Sequence, residues 1–120
     1  MHVARIHADQ SGESHFEDID IGLSLVDFAP PAPPLHVSSP VITAQMVFMQ
    51  LTPGWLGDWH PAPRRQYWVD MLGTVEITVS DGETRQFGPG SVLLLEDLVG
   101  KGHVTRVVGD HGVQGMFVQL

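Results

Sequence analysis

Apolar and polar positions alternate in short runs along most of this chain, and glycine and proline punctuate the runs. The clearest is Val75-Glu76-Ile77-Thr78-Val79, where apolar residues fall on every second position, the spacing that places them on one face of a strand. It leads into Asp81-Gly82, a dipeptide favoured in tight hairpins because both residues tolerate positive φ, and a return strand follows at residues 85 to 87. The same reading predicts strands at residues 41 to 51, closed by the Thr52-Pro53-Gly54 turn, and at 66 to 72. It also predicts a buried strand at 91 to 95, a glycine-containing loop at 96 to 102, a strand at 103 to 108, a turn at 109 to 112 and a last strand to Leu120. No window keeps the i, i+3, i+4, i+7 spacing of a helix. Strands this short and evenly spaced predict an all-β sandwich or barrel.

The N-terminal third is written differently. Residues 3 to 7 and 19 to 25 read as strands at a sheet edge or exchanged with a second subunit. The run Phe28-Ala29-Pro30-Pro31-Ala32-Pro33-Pro34 cannot donate a regular ladder and should cross the surface in extended form. The expectation is one domain over residues 1 to 120, with N-terminal strands and a proline-rich connector in 1 to 40 and the barrel core in 41 to 120.

Composition narrows the function. A chain of 120 residues can bury roughly two-thirds of the surface its unfolded form exposes, so a real core is available. Fourteen acidic against six basic residues leave a net charge of -8, which repels phosphate backbones and anionic bilayers. Nucleic-acid and membrane partners are not expected. No apolar run approaches the roughly 20 residues of a membrane span, and the opening MHVARIHADQ lacks the apolar stretch of a secretory signal, so a cytoplasmic protein is expected. The absence of cysteine removes disulfides, thiolate nucleophiles and Cys-ligated metal, leaving histidine, carboxylate and amide oxygen as ligands.

From Gly57 to His103 the chain resembles the cupin superfamily, small jelly-roll barrels with two histidine-bearing motifs. The first motif is a glycine, then H-x-H, then three or four residues, a glutamate, six residues and a glycine. With Gly73 as the closing glycine, the two histidine positions fall on His60 and Ala62 and the glutamate position on Gln66. The second motif is similar to Gly90, then Gly100-Lys101-Gly102-His103, with Leu98 at its proline position. The resemblance implies a cupin-type jelly-roll barrel. It also implies a metal site from which two of four ligands are missing, with His60, Gln66 and His103 remaining. An amide oxygen brings no charge to offset cation desolvation, so no cofactor is preferred; the alternative is a weakly bound zinc, nickel or iron on His60, Gln66 and His103, helped by water or His36. His2, His7, His15 and His111 read as solvated.

Strand 66 to 72 raises the sharpest question. Bare alternation would bury Tyr67, Val69 and Met71 and leave Asp70 in water; the cupin register instead points His60, Arg64, Gln66, Trp68, Asp70 and Leu72 inward. A buried carboxylate without a cation has a raised pKa and is suited to general acid–base work. The expected site therefore has Asp70, His103 and His60 as catalytic groups. Trp68 supplies a flat apolar wall, Arg64 holds an anionic group, and Gln66, Trp59 and Phe48 contact the substrate. The expected function is metal-independent lyase, isomerase or cyclase chemistry on a small organic substrate, aromatic or carbonyl-bearing. The alternatives are a metal-dependent cupin oxygenase or isomerase and a non-catalytic ligand-binding barrel. With Tyr67, Val69 and Met71 facing outward and needing cover, a homodimer is expected.

Overall fold

A computed structural model describes all 120 residues. Eleven strands form in chain order: β1 (His2–Ala8), β2 (Ser14–Asp20), β3 (Ser24–Val26), β4 (Leu35–Val37), β5 (Gln45–Leu51), β6 (Gln66–Leu72), β7 (Val75–Val79), β8 (Thr84–Phe87), β9 (Val92–Glu96), β10 (His103–Val107) and β11 (Val113–Gln119). There is no helix. One sheet has the order β2-β1-β9-β6-β11-β5, a second β10-β7-β8, and β3 and β4 form a separate ribbon. The two larger sheets face one another around a shared core.

That core follows the alternation in the sequence. Val75, Ile77 and Val79 point one way from β7 and are at most 2% exposed, and they meet Trp68, Leu93, Leu95, Ile6 and Phe87 from the facing strands. At roughly 25 cal/mol per Å² of apolar surface removed from water, this single cluster is the main source of stability. The run Val92-Leu93-Leu94-Leu95 is apolar on both faces because β9 lies inside the six-stranded sheet, between β1, with which it runs parallel, and β6.

Three expectations change. The strand expected at 41 to 51 begins only at Gln45, and the segment 19 to 25 is divided between the end of β2 and β3. Strand β2 was not anticipated: SHFEDID alternates weakly because it is an edge strand with largely half-buried or exposed side chains. The outer face of β6 is not bare either. Tyr67 and Val69 share a shallow groove with Ile21, Val41 and Val118, so the chain's own N-terminal segment covers part of them, while Met71 stays 54% exposed.

His7 and His15, expected to be solvated, join side-chain contacts. His15 Nε2 lies 2.7 Å from Asp9 and its Nδ1 2.8 Å from Asp81, clamping the β1–β2 turn to the β7–β8 hairpin, and the His7 ring sits 5.6 Å from the His15 ring. The buried Ser14 hydroxyl donates to the Gly102 carbonyl at 2.6 Å and ties the same region to the start of β10.

Candidate functional site

The site begins with two strand segments that touch at a single bridge. The backbone N–H of His60 donates to the carbonyl of His103 at 3.1 Å, and the N–H of His103 donates back to the carbonyl of His60 at 3.0 Å. This approach requires Gly102. Its φ is +72°, and a Cβ there would stand 2.1 Å from the carbonyl carbon and oxygen of His60, so any side chain would drive the segments apart. The bridge places the two imidazoles face to tilted face, with ring centroids 4.8 Å apart.

Each ring is then fixed by its Nδ1. His60 Nδ1 donates to the Asp58 carbonyl at 2.8 Å. His103 Nδ1 donates to Asp97 Oδ2 at 2.7 Å, a contact in which the carboxylate side chain is fully buried and the imidazole 6% exposed. In the tautomer that carries its one proton on Nδ1, an imidazole has its lone pair on Nε2. Asp97 Oδ1 has no other partner, so His103 is the recipient of the carboxylate's field. Asp97 was not anticipated; its signal was the second of two acids, Glu96 and Asp97, that follow the apolar run Val92 to Leu95, six residues before His103.

Both histidines line a cavity of about 490 Å³ between the sheets. Trp55, Trp68 and Phe117 supply its aromatic wall, and Gln66 and Gln119 stand with the histidines on the polar side. Its size is that of a small-molecule pocket.

Among solved structures, the chain resembles the cupin domain of Cnp3 from Schizosaccharomyces pombe, with a TM-score of 0.51 at 10% identity over 99% of this chain and 84% of that one. The fold is of cupin type. Protein NMB1881 from Neisseria meningitidis matches at 16% identity and a TM-score of 0.45, over 62% of this chain and 71% of that one. No protein-family model matches the sequence, nor does any curated protein. No helix is long and apolar enough to cross a membrane.

The structure brings His60, Gln66, Trp68 and His103 to one cavity, and corrects five other placements, of which the simplest is Leu72, 55% exposed at the end of β6 rather than inward. Asp70 is buried, as the register required, at 1% exposure, yet it is not a lining residue: it lies one inward position beyond Trp68 along β6. Burial pushes its carboxyl up to about 6, only partly offset by the Leu72 amide, which reaches neither oxygen in hydrogen-bonding geometry. Arg64 is exposed and outside the lining, because the chain bends at residues 63 to 65 and strand parity starts only at Gln66. Trp59 is 50% exposed and borders a minor surface pocket; Trp55, not singled out in the sequence, takes the place by the histidines. Phe48 is 72% exposed, because β5 turns its neighbour Met49 to the cavity instead.

The metal implied by cupin resemblance does not fit this donor set. His60 and His103 each have Nδ1 already hydrogen-bonded, Ala62 occupies the second histidine position, and Gln66 Oε1 already accepts from Gln119 Nε2 at 3.2 Å. His36 sits exposed on β4, outside the cavity lining. No three His, Cys, Asp or Glu side chains converge. Two imidazoles and an amide bring no negative charge to offset dehydration of a dication, so they suit a small polar group better than a tightly held ion.

Proposed function

We propose that this protein is a small-molecule enzyme whose cavity performs proton transfer, with His103 as general base and acid and Asp97 as its positioning residue. One observation carries the reading: a buried 2.7 Å contact between His103 Nδ1 and Asp97 on the wall of an aromatic-lined cavity.

The chemistry follows from the ring's two nitrogens. Asp97 holds the proton on Nδ1, which leaves Nε2 free to take a proton from a substrate carbon or oxygen. The imidazolium formed is then stabilised by the carboxylate beside it. His60, 4.8 Å away with its own Nδ1 anchored, offers a second Nε2 to return a proton at a different atom. Removing a proton at one position and restoring it at another is isomerisation; expelling a leaving group in between is elimination; internal attack is cyclisation. Asp70 was the first candidate for the base, but with its carboxyl outside the lining that role passes to His103.

The test is solvent-deuterium incorporation into aryl ketones, followed by NMR. Wild type should exchange the α-protons of at least one compound it binds. His103→Gln should abolish this, and Asp97→Asn should lower the rate by about 10²-fold or more, the usual contribution of a positioned base, with little change in ligand affinity. The ring ¹⁵N shifts of His103 should report a mixed tautomer in Asp97→Asn. Binding without exchange, or exchange unaffected by His103→Gln, would replace this reading with a non-catalytic ligand-binding cupin fold.

A further inference from the structure

Resting on that reading of the cavity, we propose that its substrate is an uncharged ring compound bearing a carbonyl. Gln66 Nε2 donates the hydrogen bond that holds the carbonyl oxygen.

The argument starts from a row of three glutamines. Gln45 on β5, Gln119 on β11 and Gln66 on β6 stand opposite one another in the sheet register, Gln119 pairing with both. Their amides connect in one direction. Gln45 Nε2 donates to Gln119 Oε1, and Gln119 Nε2 donates to Gln66 Oε1 at 3.2 Å. The row runs from the exposed edge strand inward to Gln66, which is only 3% exposed. At its inner end the amide oxygen is engaged, and the NH₂ group makes no side-chain hydrogen bond within the protein. The residue standing where a metal-binding cupin carries its carboxylate is thereby turned into a hydrogen-bond donor.

This donor complements the histidines. His60 and His103 offer lone pairs, whereas Gln66 offers N–H groups, so a carbonyl oxygen belongs on Gln66 and the acidic α-hydrogen on His103. As the proton leaves, negative charge builds on the oxygen, and a fixed donor there lowers the barrier without a cation. Charge selects in the same sense. Not one lining residue is Asp, Glu, Lys or Arg, although 20 such residues occur in the chain. An anionic ligand would shed its water for no countercharge, inside a protein of net charge -8. The Trp68 and Phe117 walls and the volume of about 490 Å³ suit one or two rings.

Calorimetric titration with three matched probes tests this: 2-tetralone, the hydrocarbon tetralin, and the carboxylate 1,2,3,4-tetrahydro-2-naphthoate. Wild type should bind the ketone roughly fivefold or more tighter than the hydrocarbon, the worth of one neutral hydrogen bond, and the carboxylate more weakly than either. At pH 8, Gln66→Glu keeps an acceptor for Gln119 but loses the donor, and it should erase the preference for ketone over hydrocarbon. Gln66→Met, similar in volume, should do the same. The proposal is overturned if wild type fails to bind the ketone, does not prefer it to the hydrocarbon, or binds the carboxylate as well. A preference surviving in both variants overturns it too. Micromolar zinc binding by wild type would also overturn it, since Gln66 would then be turning its oxygen to the cavity. Selective ketone binding without deuterium exchange leaves this inference standing and removes the proton-transfer reading alone.

Discussion

Replacing Asp70 with asparagine should stabilise the protein, and only above acidic pH. Asp70 is 1% exposed, neither carboxyl oxygen has a partner, and burial raises its pKa from 3.8 to about 6. A carboxyl whose folded value lies above its unfolded value holds its proton better when folded. Its cost is therefore absent below the unfolded value, grows as pH rises between the two, and is complete above the folded value. At 1.36 kcal/mol per unit, that cost is about 3 kcal/mol at pH 7 and about half as much at pH 5. The amide has nearly the shape of the protonated acid and no charge, so Asp70→Asn should recover most of this, raising the melting temperature by about 10 °C at pH 7. Near pH 4 the two proteins should unfold almost together. Carboxylates held below their usual range by ion pairs, such as Glu76 with Arg106, shift wild-type stability with the opposite sign, so the difference between variant and wild type at each pH isolates Asp70. Urea unfolding at pH 4, 5, 7 and 8 is the assay. A variant no more stable than wild type at pH 7, or a gain of equal size at pH 4, would refute the account of an uncompensated buried charge.

Two further outcomes follow from the geometry around the histidine bridge. Gly102→Ala should cost about 2 kcal/mol or more, because a side chain at φ +72° is strained and its Cβ would collide with the His60 carbonyl; chemical denaturation gives the loss, and nuclear Overhauser contacts between the two rings should vanish. His15, its pKa raised chiefly by Asp9 and then by Asp81, stabilises the clamp fully below its unfolded value and loses that contribution as pH rises through its higher folded value; wild type should therefore lose stability from this group as pH rises from the unfolded value through the folded one, and His15→Gln should remove that loss in urea unfolding measured at pH 6 and pH 8.

The sequence by itself determined most strands and the inward face of the central ones. Val75 to Val79, the Asp81-Gly82 hairpin and the apolar run of β9 were legible because strand period and turn conformation are local properties, carried by adjacent residues. The spacing from His60 to Gln66, and the glycine before His103, likewise announced which side chains would share a cavity. Strand β2 escaped because an edge strand needs no apolar alternation, and the inward placement of Arg64 failed because parity cannot be carried through a bend. Only the tertiary structure decided the chemistry. Asp97 meets His103 across a loop, and Gln45, Gln119 and Gln66 align through two interstrand registers, so the direction of each hydrogen bond depends on partners 6 to 74 positions away. Local pattern states which face a residue occupies; what it meets there is settled when separate strands are brought within hydrogen-bonding reach.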